Sequence, residues 1–395
     1  MYSIYSMNGL SRGIPTLLKN FCLDRPFRAV FACGGEKAGG VLTNAFEIRE
    51  NYDILAYLKI VMCQGGGRAV ETVSGINNWR LTVRRETAGV TILRAVTCDA
   101  AAALPDTLLG LPVTALGDHA LAPGARPVEG EEVLMTCGPQ DSGAEWDNHR
   151  LRELTFPAPL ERVGDYALLN CDGLRTLHLH DGVRYWSGGA LMNCRLLERI
   201  YLTRIGEAQG ETLAYLNDEL SRELDVTILQ TDGQTCRLLF PEFIESYEEN
   251  CPAHHFDYNI YGGGYPYHHC FRQKKLDLRT YDGLWQAYLG MEHEPDTALR
   301  LAWWRLRYPV ELSEAAEGRY WAYLRSRGAD AAAWLLTQRD AGGLRFLLEH
   351  AGLDREALAA ASALAREQGA AEALAILLEE QHRRFPAGAD RCFAL

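Results

Sequence analysis

The sequence predicts an α+β fold in three parts: a short solenoid of stacked repeats with a β-hairpin cap, a β-rich connector and an α-helical C-terminal domain. Three observations support this: a 23-residue period near the middle of the chain, β-branched runs on either side of it, and Leu, Ala and Trp at helical spacing from Thr280 onward. The 395 residues suffice for about two or three folded units. The predicted ranges are an N-terminal segment without assigned structure (1–75), the solenoid with its cap (76–230), the connector (231–283) and the helical domain (284–395).

The predicted cap lies at residues 79–96, WRLTVRRETAGVTILRAV, where two β-branched runs flank Thr87-Ala88-Gly89. This pattern is typical of a β-hairpin. A hairpin here would cover the first coil, whose core an open end would expose to water.

The 23-residue period is carried by two segments that begin at Leu151 and Leu174, LRELTFPAPLERVGDYALLNCDG and LRTLHLHDGVRYWSGGALMNCRL. Apolar residues at the first, fourth and sixth positions predict a short strand with alternating faces. Each coil leaves an apolar face that only the next coil covers, so the coils must stack. The matched positions are Leu154 with Leu177, Phe156 with Leu179, Ala167 with Ala190, Leu168 with Leu191, Asn170 with Asn193 and Cys171 with Cys194, followed by Leu197, Ile200 and Leu202 one period later.

An earlier coil is visible at residues 111–123, LPVTALGDHALAP. Its Leu116-Gly117-Asp118 precedes Val163-Gly164-Asp165 by 47 residues, one more than two periods, so we expect an insertion. Residues 123–150 are rich in Gly, Pro and acids and predict an exposed loop.

The residues RVGDYALLNCDGLRTLHL and GGALMNCRLLERIYL resemble the BspA-like class of bacterial leucine-rich repeats, whose coils read Ile-Gly-x-x-Ala-Phe-x-x-Cys-x-x-Leu. Leu168 and Leu191 stand where the class has Phe, and Ser187-Gly188 replaces Gly-Asp in the second coil. The resemblance covers residues 100–205 and implies a solenoid for protein or surface recognition, in several members outside the cell. The whole chain, with its helical tail, is also similar to leucine-rich-repeat proteins of gut Firmicutes, a likeness that implies no activity.

The Asn-Cys pairs of the two coils have a structural interpretation. We expect buried Asn side chains to bond turn backbone groups, and buried Cys side chains to fill small apolar slots between coils. The eleven cysteines include no CxxC pair, and most are expected to be reduced.

After Leu202 the period fades, and residues 224–243 alternate around Asp232-Gly233 in a hairpin pattern. From Thr280 the pattern is helical, with Asp354 as a predicted N-cap. LRFLLE at 344–349 is echoed by LAILLE at 374–379, an offset of 30 residues. That offset favours an ankyrin-like or other α-solenoid repeat, with a plain helical bundle as the alternative.

Two sets of residues are candidate binding residues. The first set flanks the buried apolar residues of the repeat strands and points outward: Glu153, Thr155, Thr176, His178, Arg199 and Tyr201. The second is aromatic and surrounds Gly262-Gly263-Gly264, interpreted as a flexible turn that could grip a peptide or stack on a sugar. We retain Tyr261, Tyr265 and Tyr267 as binding candidates from this set, which also includes Tyr258.

One segment could suggest zinc, since it holds Cys251, His254, His255, His268, His269 and Cys270. Adjacent His residues on a strand point to opposite faces, so we expect ordinary β-structure, with no metal and no cofactor. The sequence contains no nucleophile elbow, phosphate loop, HExxH or calcium loop, and no catalytic residue is predicted.

The formal charge of −12, from 52 acidic and 40 basic residues, would repel nucleic acid. The densest basic run is small: Arg272, Lys274, Lys275 and Arg279. The start of the chain lacks the pattern of an export signal, and no segment is apolar enough to span a bilayer, so we expect a cytoplasmic protein without a membrane partner. A further hypothesis is that translation begins at Met62.

These observations favour a non-catalytic protein-interaction scaffold that binds one or more proteins. The first alternative is an exported or cell-surface recognition or adhesion protein. The second is a zinc-stabilised or enzymatic protein that uses the region from Cys251 to Cys270.

Overall fold

The computed structural model describes residues 58–59, 71–137, 145–206, 209–250 and 255–386. Met62 and most of the N-terminal segment 1–75 lie outside these residues. The strands are β1 (Leu58–Lys59), β2 (Glu71–Ser74), β3 (Trp79–Glu86), β4 (Gly89–Thr97), β5 (Ala101–Ala103), β6 (Thr107–Leu108), β7 (Leu111–Leu116), β8 (Glu131–Thr136), β9 (Glu153–Thr155), β10 (Arg162–Val163), β11 (Thr176–His180), β12 (Tyr185–Trp186), β13 (Arg199–Thr203), β14 (Leu224–Leu229), β15 (Thr235–Phe240), β16 (Ile244–Asn250), β17 (His255–Tyr261), β18 (Phe271–Arg272) and β19 (Lys275–Leu276). The helices are α1 (Thr212–Glu219), α2 (Leu278–Gly283), α3 (Trp285–Leu289), α4 (Pro295–Arg307), α5 (Glu314–Ser326), α6 (Gly328–Thr337), α7 (Ala341–Ala351), α8 (Arg355–Glu367) and α9 (Ala371–Arg384), with short 3-10 turns at Asn148–Arg150 and Tyr265–His269. The predicted α+β class is confirmed.

A six-stranded sheet has the order β15-β14-β13-β11-β9-β5, and its strands are parallel except for the β14–β15 pair. Leu154 pairs with Leu177, and Leu177 with Ile200, so the register reproduces the predicted 23-residue offset. These three side chains are fully buried. The next strand continues the row with Val226, 26 residues after Ile200.

A nine-stranded sheet has the order β1-β2-β8-β3-β4-β7-β10-β12, with β6 paired to β7. The antiparallel β3–β4 pair turns at Thr87-Ala88, which confirms the predicted hairpin. The prediction of an exposed loop at 123–150 is wrong for β8, which lies between β2 and β3. Val133 and Met135 are buried while Glu132, Leu134 and Thr136 are not, and this period of two in burial is that of a strand despite the acidic residues before it.

The Asn-Cys turns differ in part from the prediction. Cys171 and Cys194 are buried as expected, and their thiols donate to the carbonyl oxygens of Leu121 and Leu168, 50 and 26 residues earlier, at 3.5 and 3.3 Å. Burial raises the pKa of Cys194 to about 12. The prediction of buried Asn was wrong: both Asn side chains are exposed, and Asn193 Nδ2 donates to Asn170 Oδ1 at 2.8 Å.

The reason for Asn in these turns is conformational. Asn170 and Asn193 both have φ of 62°, in the left-handed region that Asn tolerates better than most residues. In both turns the Asn side chain is exposed and the Cys that follows it is buried.

The predicted hairpin around Asp232-Gly233 is confirmed by the antiparallel β14–β15 pair. Through this hairpin β15 joins the six-stranded sheet and ends its parallel run. Cys236 and Leu238 are buried on one face of β15, and Leu239 is buried on the other, so both faces of this strand are covered.

The C-terminal helices form a buried core that contains an ion pair. Arg305 of α4 has a fully buried side chain that donates to Asp282 at 2.7 and 2.8 Å. Tyr320 of α5 donates to the same carboxylate at 2.9 Å. The predicted N-cap at Asp354 is confirmed, since its carboxylate accepts from the Ala357 N–H at 2.8 Å.

The 30-residue offset of the sequence recurs in the turns that join α6 to α7 and α8 to α9. Arg339 and Gly369 have φ of 55° and 65° at equivalent positions. The next residue donates its N–H to the preceding helix in both turns, from Asp340 to Leu335 and from Ala370 to Ala365. The α6–α7 turn and the α8–α9 turn therefore have the same backbone geometry.

Candidate binding face

The first set of candidate residues lies on the outer face of the six-stranded sheet. Register places Glu153, Thr176 and Arg199 in one row across β9, β11 and β13. A second row, two residues further along each strand, contains Thr155, His178 and Tyr201. The structure thus brings all six positions together, because successive strand residues alternate between faces and the intervening Leu and Ile residues point to the core.

A chain of side-chain contacts joins the two rows. His178 Nε2 lies 2.9 Å from Glu153 Oε1, and the His178 ring stacks on Tyr201 with centroids 4.6 Å apart and planes 7° from parallel. Tyr201 remains 39% exposed. These contacts hold an aromatic surface in one orientation, which reduces the entropy lost when a partner binds.

The first row is less open than the sequence suggested. Thr176 is buried, and its Oγ1 accepts from Arg199 Nε at 3.2 Å. Arg199 is exposed and also pairs with Glu198 at 3.3 Å. Thr176 therefore orients Arg199 and is itself closed to a partner.

Beyond Tyr201 the face continues into a group that sequence analysis did not find. Arg237 of β15 donates to Asp225 of β14 through two nitrogens, at 2.8 and 2.7 Å. Its guanidinium carbon lies 3.4 Å from the centroid of the Trp304 ring. Burial acts to lower the pKa of Arg237, but the hydrogen bonds and charge of Asp225 outweigh it and raise that pKa.

Helix α4, which carries Trp304, is fixed against this end of the sheet. Thr297 Oγ1 and Arg300 Nη2 donate to the Glu223 carboxylate at 2.6 and 2.7 Å. Leu239 lies beneath the helical region, where Tyr281 Oη bonds its backbone N–H and C=O. The outer face is consequently open along β13 and its neighbours, and at β15 it is partly covered by α4, with Leu239 buried and Arg237 half-buried.

The second set of candidates is divided by the structure. Tyr267 is fully buried against Tyr281 and Tyr288, with ring centroids 4.8 and 5.5 Å apart, so it belongs to the core and is closed to a partner. Tyr265 is half-buried against Phe243. Tyr261 is 50% exposed.

The interpretation of Gly262-Gly263-Gly264 as a flexible turn is wrong for its last two residues. A Cβ on Gly263 would lie 2.6 Å from the Tyr288 ring, and a Cβ on Gly264 would overlap the Pro241 carbonyl oxygen. These glycines let the backbone pack closely against its neighbours, a use of Gly that the sequence does not distinguish from flexibility.

Two of the suggested zinc ligands are engaged otherwise. The buried ring of His268 has Nδ1 3.0 Å from the Asn217 carbonyl oxygen and Nε2 3.2 Å from that of Pro241. The Cys270 thiol donates to the Tyr267 carbonyl oxygen at 2.9 Å. Cys251 and His254 lie outside the described residues. Within the part of the chain that the structure describes, no three or more His, Cys, Asp or Glu residues are grouped as a metal site.

Among the helices of the described ranges, none combines the length and apolar character needed to cross a membrane. No protein-family model matches the chain, and no curated protein matches it. Among solved structures the chain is similar to a leucine-rich-repeat protein of T. pallidum, with 20% identity and a TM-score of 0.23 over 31% of this chain and 50% of that chain. This chain spans half the length of that protein, and the TM-score is too low to define a common fold.

Proposed function

We propose that this chain is a non-catalytic protein-interaction scaffold. Its binding face is the open part of the outer face of the six-stranded sheet, and its partner is a protein. The observation that carries this proposal is the preformed chain of contacts from Glu153 through His178 to Tyr201, which runs over consecutive parallel strands and is bounded at one end by Trp304.

The underlying architecture that we propose is a short leucine-rich-repeat solenoid of the BspA-like class. The 23-residue strand register supports it. So do the repeated turns, in which a left-handed Asn precedes a buried Cys that bonds the previous coil. In such a stack every coil contributes one strand to the same face.

The size of the face predicts its mode of use. Strands lie about 4.8 Å apart, so the three strands β9, β11 and β13 extend only about 10 Å across. That is less than a standard protein interface requires. Arg237 and Trp304 extend the surface beyond β13, and we propose that a partner contacts both the strand row and the α4 end.

The experiment compares two double variants of the full chain in a photocrosslinking pull-down from native cells. Arg199→Ala/Tyr201→Ala removes two exposed side chains from the binding face. Arg184→Ala/Tyr185→Ala removes the same two residue types at the start of β12 in the nine-stranded sheet, where Tyr185 is 60% exposed and Arg184 precedes the strand. We expect partner recovery to fall in the first variant alone.

Equal recovery from both variants would contradict the assignment of the face. Loss in both would indicate that exposed Arg and Tyr bind without regard to position. Fractionation of native cells decides between the cytoplasmic location that we propose and the exported alternative.

A further inference from the structure

The β16–β17 hairpin has a different character from both large sheets. Its two strands pair only with each other, so in the described chain neither outer edge has a strand neighbour. Such an edge presents unpaired backbone N–H and C=O groups. A two-stranded hairpin is also only marginally stable alone in water, so it gains order from any chain that joins it.

Large apolar side chains are exposed on this hairpin at high density. Ile244, Tyr247, Tyr258 and Tyr261 are 58%, 71%, 46% and 50% exposed. Tyr247 and Tyr258 lie directly opposite each other in the register, with ring centroids 4.7 Å apart. Tyr258 Oη donates to Glu245 Oε1 at 2.5 Å, so an aromatic platform stands beside a carboxylate.

The charge of the hairpin has one sign. Glu245, Glu248 and Asp257 are exposed, and residues 242–261 contain neither Lys nor Arg. The chain as a whole carries −12. A phosphate backbone and a second acidic hairpin would both be repelled, whereas a basic chain would be attracted.

We propose that the β16–β17 hairpin is a docking arm for an extended, arginine-bearing segment of a partner protein, which joins a free edge as a third strand. Backbone bonds along the edge supply affinity. An arginine side chain can stack on the Tyr247 ring while its guanidinium donates to Glu245. Specificity for arginine follows from that pairing. This surface is separate from the sheet face, and neither proposal depends on the other.

The experiment uses the full chain and two labelled decapeptides with capped ends. One alternates arginine with threonine, and the other has glutamate in place of each arginine. Fluorescence anisotropy gives Kd, and amide hydrogen exchange locates the bound peptide. We expect the arginine peptide alone to bind, with increased protection at 244–248 and 257–261.

A charge variant tests the site without deleting side-chain volume. Glu245→Gln/Glu248→Gln/Asp257→Asn removes three charges from the hairpin, and the matched control Glu356→Gln/Glu367→Gln/Glu372→Gln removes three exposed charges from α8 and α9. We expect Kd to rise about tenfold or more in the hairpin variant and less than about twofold in the control. Tyr247→Ser in the otherwise native chain should also weaken binding, since it removes the stacking surface.

Three results would overturn the proposal. The first is failure of the native chain to distinguish the arginine peptide from the glutamate peptide. The second is equal weakening in the hairpin variant and its control, which would make the attraction a property of net charge. The third is protection confined to amides outside the hairpin.

Discussion

Two regions of the molecule are held together by different interactions: the 23-residue segments predicted as coils, whose strands pair in the six-stranded sheet, and the helices α6 to α9 of the C-terminal region. In the coils the contact between neighbours is made by backbone: the strand ladder runs through Leu154, Leu177 and Ile200, and each buried thiol reaches a carbonyl of the coil before. The helices pack through a core of buried apolar side chains, which includes Leu344 and Leu377.

This difference determines which substitutions each region tolerates. A coil contact made by backbone leaves little room, so particular positions require Gly, Asn or Cys. A helical contact requires apolar volume, which several residue types provide. The coils should therefore be sensitive to small additions of volume, and the helices to the loss of polar partners inside their core.

The largest effect is expected at the buried ion pair of the helical region. Arg305→Met leaves the Asp282 carboxylate buried without its cation and should lower the free energy of unfolding by about 3 to 5 kcal/mol. Urea unfolding followed by amide exchange in α4 and α5 measures the loss. The double variant Arg305→Met/Asp282→Leu should recover most of it, and failure to recover would show that the pair also fixes the packing.

The next largest loss of stability is expected from a substitution at Gly164, in a segment predicted as a coil. A Cβ on Gly164 would lie 2.6 Å from the Gly117 carbonyl carbon and 2.7 Å from the Asp118 nitrogen. Backbone cannot move aside cheaply, so Gly164→Ala should cost about 2 to 3 kcal/mol. Gly188→Ala is the matched control, since no atom lies within 4 Å of its added Cβ. Equal midpoints in urea for the two variants would contradict the backbone-contact account.

The free energy of unfolding should depend on pH through His268, which lies between the two regions in the sequence. His268 faces two carbonyl oxygens, and burial lowers its pKa in the folded chain. The unfolded chain binds the proton first, so stability is complete above about pH 6.5 and falls as the pH is lowered toward the folded pKa, by at most about 1.4 kcal/mol per pH unit.

The measurement is urea unfolding at a series of pH values between about 7 and 5. His268→Gln should have a smaller slope than the native chain, because glutamine does not titrate in this range. If His268→Gln leaves the change of unfolding free energy with pH unaltered, the pH dependence comes from another titratable group.

The smallest effect should have the opposite sign. Gly318 lies exposed within α5, and its added Cβ meets no atom within 4 Å. Gly318→Ala should stabilise the helical region by about 0.5 to 1 kcal/mol, because alanine loses less backbone entropy in a helix. Thermal unfolding measures it, and a lower Tm would contradict the tolerance assigned to the helices.

Sequence analysis predicted the fold most accurately where a local residue pattern determines the local backbone geometry. The 23-residue offset, the hairpin at Thr87-Ala88 and the hairpin at Asp232-Gly233 all follow from local patterns and agree with the strand pairing. The division into solenoid, connector and helical domain, with the boundaries given at the outset, stays a prediction, as does binding by the candidate residues.

What the sequence missed depends on contacts between distant residues. Arg237 stacks on Trp304, and no periodic signal relates a strand residue to a helix residue 67 positions later. Tyr267 and Tyr261 have the same local signature, yet one is buried and the other is 50% exposed. Burial of Tyr267 depends on Tyr281 and Tyr288, which follow in separate helices.

Strand β15 runs antiparallel to β14, and this limits where a duplicated 23-residue segment could add a strand to the sheet. Because β9, β11 and β13 share one register, a duplicated block of 23 residues could enter among them and add a single strand, about 4.8 Å of sheet. A copy placed after β15 would meet an antiparallel edge already covered by helices. Growth by duplication among β9, β11 and β13 would therefore lengthen the open face and leave the Arg237–Trp304 end unaltered.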